Sequence, residues 1–145
     1  MTVRILCRAV VFDRKTEKIL LVRNRAQQYW YPPGGGWKEG EHLAQCVCRE
    51  TEEESGIRIT LVRLLYVQEF SPQPGETNLE LFWLAYPEGS TVLDPSHVDM
   101  HGTVEERRWL SREELQSLVV FPKCLQAQFW INVNAVLAIP DPFLA

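Results

Sequence analysis

The stretch that constrains this chain most is Leu43–Ser55, which reads as one amphipathic helix held between two glycine-bearing boundaries. Upstream, Trp30-Tyr31-Pro32-Pro33-Gly34-Gly35-Gly36 contains two prolines and three glycines. That composition suits neither a helix nor a central strand, so a loop is predicted there. Downstream, Gly56 stands where a helix that closes in the left-handed conformation calls for glycine. With successive residues about 100° apart around the axis, Glu50, Glu53 and Glu54 fall within an arc of about 100°, and Glu52 falls on the opposite side. Ala44, Val47, Cys48, Thr51 and Ser55 form an adjoining flank of small residues that can lie close against a sheet.

Three carboxylates on one arc repel one another unless a positive charge stands between them. Hard cations take oxygen ligands, and Mg²⁺ in particular combines a few carboxylates with waters and substrate phosphates. The glycines before the helix let backbone approach a ligand, and amides near a helix start favour anions. Arg49, beside the cluster, can orient one glutamate or touch a phosphate through a charge-assisted hydrogen bond. A glutamate run taken alone is a solvated helix face, so the surrounding residues decide its meaning.

The rest of the chain predicts a mixed sheet with helices packed on it. Val3 to Phe12 and Ile19 to Val22 read as the strands of a hairpin, joined by the polar turn Asp13 to Lys18. Ile57 to Phe70 is mostly extended, Ser71 to Gly75 is a loop, and Leu79 to Tyr86 is a further strand. Pro87 to Thr103 is polar and irregular, a loop in which His97, Asp99 and His101 have no fourth ligand beside them and read as solvated. Arg107 to Leu110 is a short last strand, and Ser111 with Glu114 is a capping box opening a helix over Arg112 to Val119. Pro122 suits the first turn of a final helix to about Leu137, which the tail Ile139 to Leu144 cannot continue. His42 is expected to be a first-turn residue without a role.

At 145 residues the chain predicts one domain, spanning residues 1–145. The formal net charge of −4 argues against a nucleic acid polymer as partner, since backbone binding calls for a basic face. Cys7, Cys46, Cys48 and Cys124 form no CxxC pair and read as buried thiols in a reducing compartment. No run reaches the length of a membrane span, and the N-terminus lacks a signal-peptide pattern, so a cytoplasmic location is expected.

The segment Gly35–Ile57 resembles the Nudix box, G-x5-E-x7-R-E-U-x-E-E-x-G-U, where U is aliphatic. Gly35, Glu41, Arg49, Glu50, Glu53, Glu54 and Gly56 meet every fixed identity, and Ile57 meets the last aliphatic position. Thr51 departs from the aliphatic position, though it is β-branched and small. Lys38 stands where family members often carry Glu, and Pro32 where a larger apolar residue is common. The first hairpin, the Trp30 to Gly35 loop and Glu106 to Leu115 also have a Nudix look.

The resemblance implies an α/β/α sandwich with a mixed, partly antiparallel sheet, in the α/β (α+β) class. It implies hydrolysis of a pyrophosphate bond in a nucleoside diphosphate linked to another moiety, with Mg²⁺ or Mn²⁺ as cofactor. Carried over by position, Glu50, Glu53, Glu54 and the Gly35 carbonyl are the metal ligands, Arg49 and Glu41 orient them, and Gly34, Gly35 and Gly36 lie against the phosphates. Glu53 is the first choice for general base, with Glu69, Glu80, Glu105 and Glu106 as candidates outside the box. Tyr29, Trp30, Tyr31 and Trp37 can stack on a base, or serve as core. Pro72, 15 residues past Ile57, matches a feature of ADP-ribose-type Nudix pyrophosphatases and favours an ADP-ribose-like or nucleotide-sugar substrate. The alternatives are a house-cleaning nucleoside triphosphate pyrophosphohydrolase and a non-catalytic nucleotide-sensing module. The expected partners are a small nucleotide and, at most, a second copy in a homodimer, with no membrane.

Overall fold

The computed structural model describes residues 1–100 and 102–137. The expectations for His101 and for the tail Ile139 to Leu144 lie outside these residues. The hairpin forms as predicted from β1 (Thr2–Asp13) and β2 (Lys18–Asn24). Asp13 closes its turn, accepting from the Glu17 amide at 2.8 Å through its carbonyl and from the Thr16 hydroxyl at 2.7 Å through its carboxylate.

Beyond Val11↔Leu20 the two strands part, and the gap is filled by backbone from the proline–glycine segment. The predicted loop is two short strands, β3 (Trp30–Tyr31) on β2 and β4 (Gly34–Gly36) on β1. Pro32 and Pro33 fall between them, where no ladder amide is needed. Glycine is what admits β4: a Cβ on Gly34 would lie 2.1 Å from the Cys7 carbonyl oxygen and 2.6 Å from the Arg8 Cα.

Helix α1 follows at Leu43–Ser55, the predicted bounds, and Gly56 closes it at φ 76°. Strand β5 (Ile59–Phe70) is paired antiparallel with β6 (Glu76–Pro87), and β6 runs parallel to β1 from Thr2↔Glu76 to Val11↔Ala85. Strand β7 (Val104–Ser111) runs antiparallel along β2. The seven strands make one mixed sheet in the order β3-β2-β1-β6-β5, with β4 on β1 and β7 on β2.

Ala9–Phe12 and Ile19–Val22 carry no polar alternation because both faces of the sheet are covered. Cys7, Ala9, Val11, Leu20, Trp83 and Ala85 pack with Cys46 and Val47 of α1. Val10, Phe12, Ile19, Leu21, Phe82 and Leu84 pack on the other face with Leu115, Leu125 and Phe129. The result is the expected α/β/α sandwich.

The C-terminal layer is more broken than its sequence pattern predicts. The capping box forms, with the Ser111 amide donating to Glu114 Oε1 at 3.1 Å, but α2 spans only Arg112–Leu115. The Gln126 side-chain amide donates to the carbonyls of Leu115 and Leu118, which a longer helix would have used internally. The single final helix is divided into a 3₁₀ turn at Lys123–Gln126 and α3 at Gln128–Leu137. The break at Ala127 lets Leu125 and Phe129 both enter the core. No helix of the described residues is long and apolar enough to cross a membrane.

Thr51, the residue that departs from the aliphatic pattern, is fully buried on α1, and its hydroxyl has no hydrogen-bond partner among the described residues. An unsatisfied buried hydroxyl costs about 1–3 kcal/mol. Thr51→Val keeps the shape and removes that group, so urea unfolding should show a gain of about 1 kcal/mol. An unchanged or lower midpoint would mean that the hydroxyl is satisfied in solution.

Candidate active site

Helix α1 presents its carboxylates at the edge of β4, but they do not share one partner. Arg49 binds Glu41 through two contacts, Nη2 to Oε1 at 2.9 Å and Nε to Oε2 at 3.1 Å. Its Nη1 donates to Glu50 at 2.9 Å and to Glu53 at 3.2 Å. This guanidinium holds the Glu41 carboxyl down at about 2, with the Lys38 amide contributing. The same three carboxylates raise the Arg49 pKa.

Glu54 faces the other way and accepts from the Gly34 amide at 3.1 Å. That amide is therefore not free for an anion, which is a departure from the phosphate-cradle expectation. Burial pushes the Glu54 carboxyl up to about 8, with Asp99 and Glu50 adding negative charge and the Gly34 amide and Arg8 opposing them. Glu50 lies directly on the Gly35 backbone: a Cβ there would be 2.5 Å from its carboxyl carbon. The Gly35 carbonyl, in the stretch of β4 paired with Cys7, also has the weak Cys46 thiol at 3.8 Å. Among the described residues no three His, Cys, Asp or Glu side chains converge as a ready-made metal cluster.

These residues nevertheless fit a hard divalent cation. The donors are carboxylate and carbonyl oxygens, and Glu54 is a buried carboxyl whose neighbours Glu50 and Asp99 are negative. A cation there would oppose the negative neighbours that help push the Glu54 carboxyl up.

Gly34 and Glu54 lie along one side of a cleft of about 470 Å³ on the sheet face opposite the body of α1. Tyr29 and Tyr31 line it with Phe82, Phe70 and Phe121. Tyr29 meets Phe121 edge-on at 5.1 Å and Tyr31 at 5.7 Å. Arg8 pairs with Glu80 at 2.5 Å across the parallel strands and lies 5.3 Å from the centre of the Tyr31 ring. Of the predicted stacking residues, Trp30 is buried in the core, and Trp37 lies outside the cleft with its indole N–H on the Glu41 carbonyl at 2.7 Å.

The outside candidates for general base are scattered. Glu80 is in the cleft but taken by Arg8, Glu106 is paired with Arg23, and Glu69 and Glu105 are exposed. His97 is not the solvated loop residue expected from sequence, since its Nε2 lies 2.7 Å from the Glu53 carbonyl. Arg8, Asn24, Gln68, Phe70 and Phe121 line the cleft without having been singled out from sequence. Only Arg8 carried a signal, as a cation within an apolar strand.

A family model described as the NUDIX domain matches residues 4–129. The chain belongs to the Nudix family. It is 32% identical over 132 residues to the NAD-capped RNA hydrolase NudC of Photobacterium profundum, covering 88% of this chain and 45% of that protein. It is 34% identical over 76 residues to nucleoside diphosphate-linked moiety X motif 6 of Mus musculus, covering 51% and 24%. The chain thus spans less than half the length of these two curated relatives. Among solved structures, a Nudix hydrolase from Nitrosomonas europaea superposes with a TM-score of 0.73 at 20% identity, covering 99% of this chain and 96% of that one.

The raised Glu54 pKa makes the metal-free Nudix domain sensitive to pH. Between the ordinary carboxylate value and about 8, the folded chain keeps a proton that the unfolded chain has lost. This contribution is whole below the ordinary value and disappears as pH rises through about 8. The melting temperature in chelator should therefore fall between about pH 5 and pH 8.5, and Glu54→Gln should flatten that fall. Parallel curves for both proteins would refute the assignment.

Proposed function

We propose that this Nudix domain hydrolyses the pyrophosphate bond of a nucleoside diphosphate linked to a second moiety, an ADP-ribose-like or nucleotide-sugar compound. The observation that carries the reading is the position of Glu54 and Gly34 along a cleft also lined by five aromatic side chains, Tyr29, Tyr31, Phe70, Phe82 and Phe121. A nucleotide laid in that cleft places its base against Tyr29, Tyr31 or Phe121 and its phosphates beside the glutamates. Arg8 is the one cation among the described cleft-lining residues, and Glu80 already neutralises it. That balance favours a substrate whose far end is uncharged over one with a free triphosphate tail.

Glu50, Glu53, Glu54 and the Gly35 carbonyl would hold Mg²⁺ or Mn²⁺. The ion, when bound, supplies a Lewis acid that offsets negative charge on the phosphate oxygens and lowers the pKa of water. Arg49 orients Glu50 and Glu53 from the side, and Glu41 holds Arg49 in place through its two contacts. Glu53, the most exposed of the three box carboxylates that bind Arg49, is our first choice for the base that takes the proton of the attacking water.

A substrate screen with product identification tests this reading. Two monophosphates from ADP-ribose or a nucleotide sugar are expected. Nucleoside monophosphate plus pyrophosphate from a triphosphate would favour the house-cleaning alternative, and no turnover on any class would favour a sensing module. Glu53→Gln and Glu54→Gln should each lower kcat by at least about 100-fold while leaving the circular dichroism spectrum unchanged. Near-normal rates in both variants would remove the metal-site assignment.

A further inference from the structure

Helix α1 carries its charge at the wrong end. Glu52, Glu53 and Glu54 occupy its last turn, where the macrodipole is negative, and no basic residue of the helix accompanies them there. A helix also leaves its last four carbonyls without intrahelical partners. The Gly56 amide takes the Glu52 carbonyl at 2.8 Å. The next two carbonyls go to side chains from distant parts of the chain. His97 Nε2 lies 2.7 Å from the Glu53 carbonyl oxygen, and Arg107 Nε donates to the Glu54 carbonyl at 2.5 Å.

The bond to a carbonyl places the His97 proton on Nε2. Its other ring nitrogen faces Gly56, where an added Cβ would stand 3.2 Å away. The imidazole thus lies over the left-handed residue that ends the helix. Arg107 comes from β7, whose pairing with β2 runs from Lys18↔Ser111 to Asn24↔Val104 and ties it to the sheet. Two donors, one from the 88–103 segment and one from a strand, therefore grip consecutive residues.

We propose that His97 and Arg107 are positioning residues for the metal site. They fix the backbone of Glu53 and Glu54 so that both carboxylates stay in register with β4, and they oppose the unfavourable charge of that helix end. This rests on the reading of α1 as the metal-binding helix. Neither side chain touches the cation or the substrate; both act through the carbonyls of residues that do. Outer contacts of this kind typically change metal affinity by about 10-fold to 100-fold when removed.

The test is calorimetric titration of the substrate-free protein with Mn²⁺, alongside steady-state kinetics on whichever substrate the screen identifies. His97→Phe keeps a ring over Gly56 but cannot donate, and Arg107→Met keeps the apolar stem without the guanidinium. Each should weaken Mn²⁺ binding by roughly 10-fold and lower kcat while KM stays within about twofold. His97→Gln and Arg107→Lys, which retain a donor, should recover most of the affinity. Trp109→Phe is the control, because it removes another anchor of the same segment, the 2.8 Å bond from the Trp109 indole to the Thr91 carbonyl. It should leave Mn²⁺ affinity within about twofold of the parent.

Variants that melt earlier yet bind Mn²⁺ as the parent does would overturn the inference and leave the metal site standing. So would an equal loss in Trp109→Phe, since loosening of the segment would then suffice. A parent protein that takes up no Mn²⁺ would overturn both this inference and the reading it rests on. Should Arg107→Met fail to fold, the His97 pair of variants decides.

Discussion

The pairing of three consecutive glycines with β1 is the contact around which the rest of the site is arranged. At Cys7↔Gly35 two backbones meet with no side chain between them, and at Gly34 a single Cβ would be driven into the Cys7 carbonyl. Because β4 is held there, its Gly34 amide points at Glu54 and its Gly35 backbone lies against Glu50. The helix and the sheet therefore do not merely pack. They exchange specific polar contacts at the residues that carry the charge, and the small flank of α1 lets them come close enough to do so.

Charge is distributed in this site by separation as much as by pairing. Arg49 answers Glu41, Glu50 and Glu53 together, while Glu54 faces the other way, onto the Gly34 amide, where burial pushes its carboxyl up. Glu50 and Glu53 are thus oriented by one guanidinium, and Glu54 is oriented by the backbone of β4.

The helix and its ends are legible in the sequence because their signals are local. The Pro–Gly stretch, the arc of carboxylates and Gly56 lie within one short segment, and the structure reproduces Leu43–Ser55. The hairpin and the two-sided burial of its strands are legible from unbroken apolar runs. The glycine segment is not, since a loop and a two- or three-residue strand share the same composition and differ only in what lies alongside. The C-terminal helices escape the sequence for a related reason. Their pattern is helical, but Gln126 takes the carbonyls that would have extended α2.

By itself the sequence determined the acidic helix, the identity of its carboxylates and the class of fold, because those depend on periodicity and on fixed short-range spacing. Only the tertiary structure decided which residues surround them. Arg8 meets Glu80 across 72 positions, His97 meets Glu53 across 44, and Arg107 meets Glu54 across 53. Contacts of that range are made by strand register and chain crossing, which leave no periodic trace in the residues concerned. The three glutamates are a solvated charge run in one dimension, and the fold brings the Gly34 amide, His97 and Arg107 against Glu53 and Glu54.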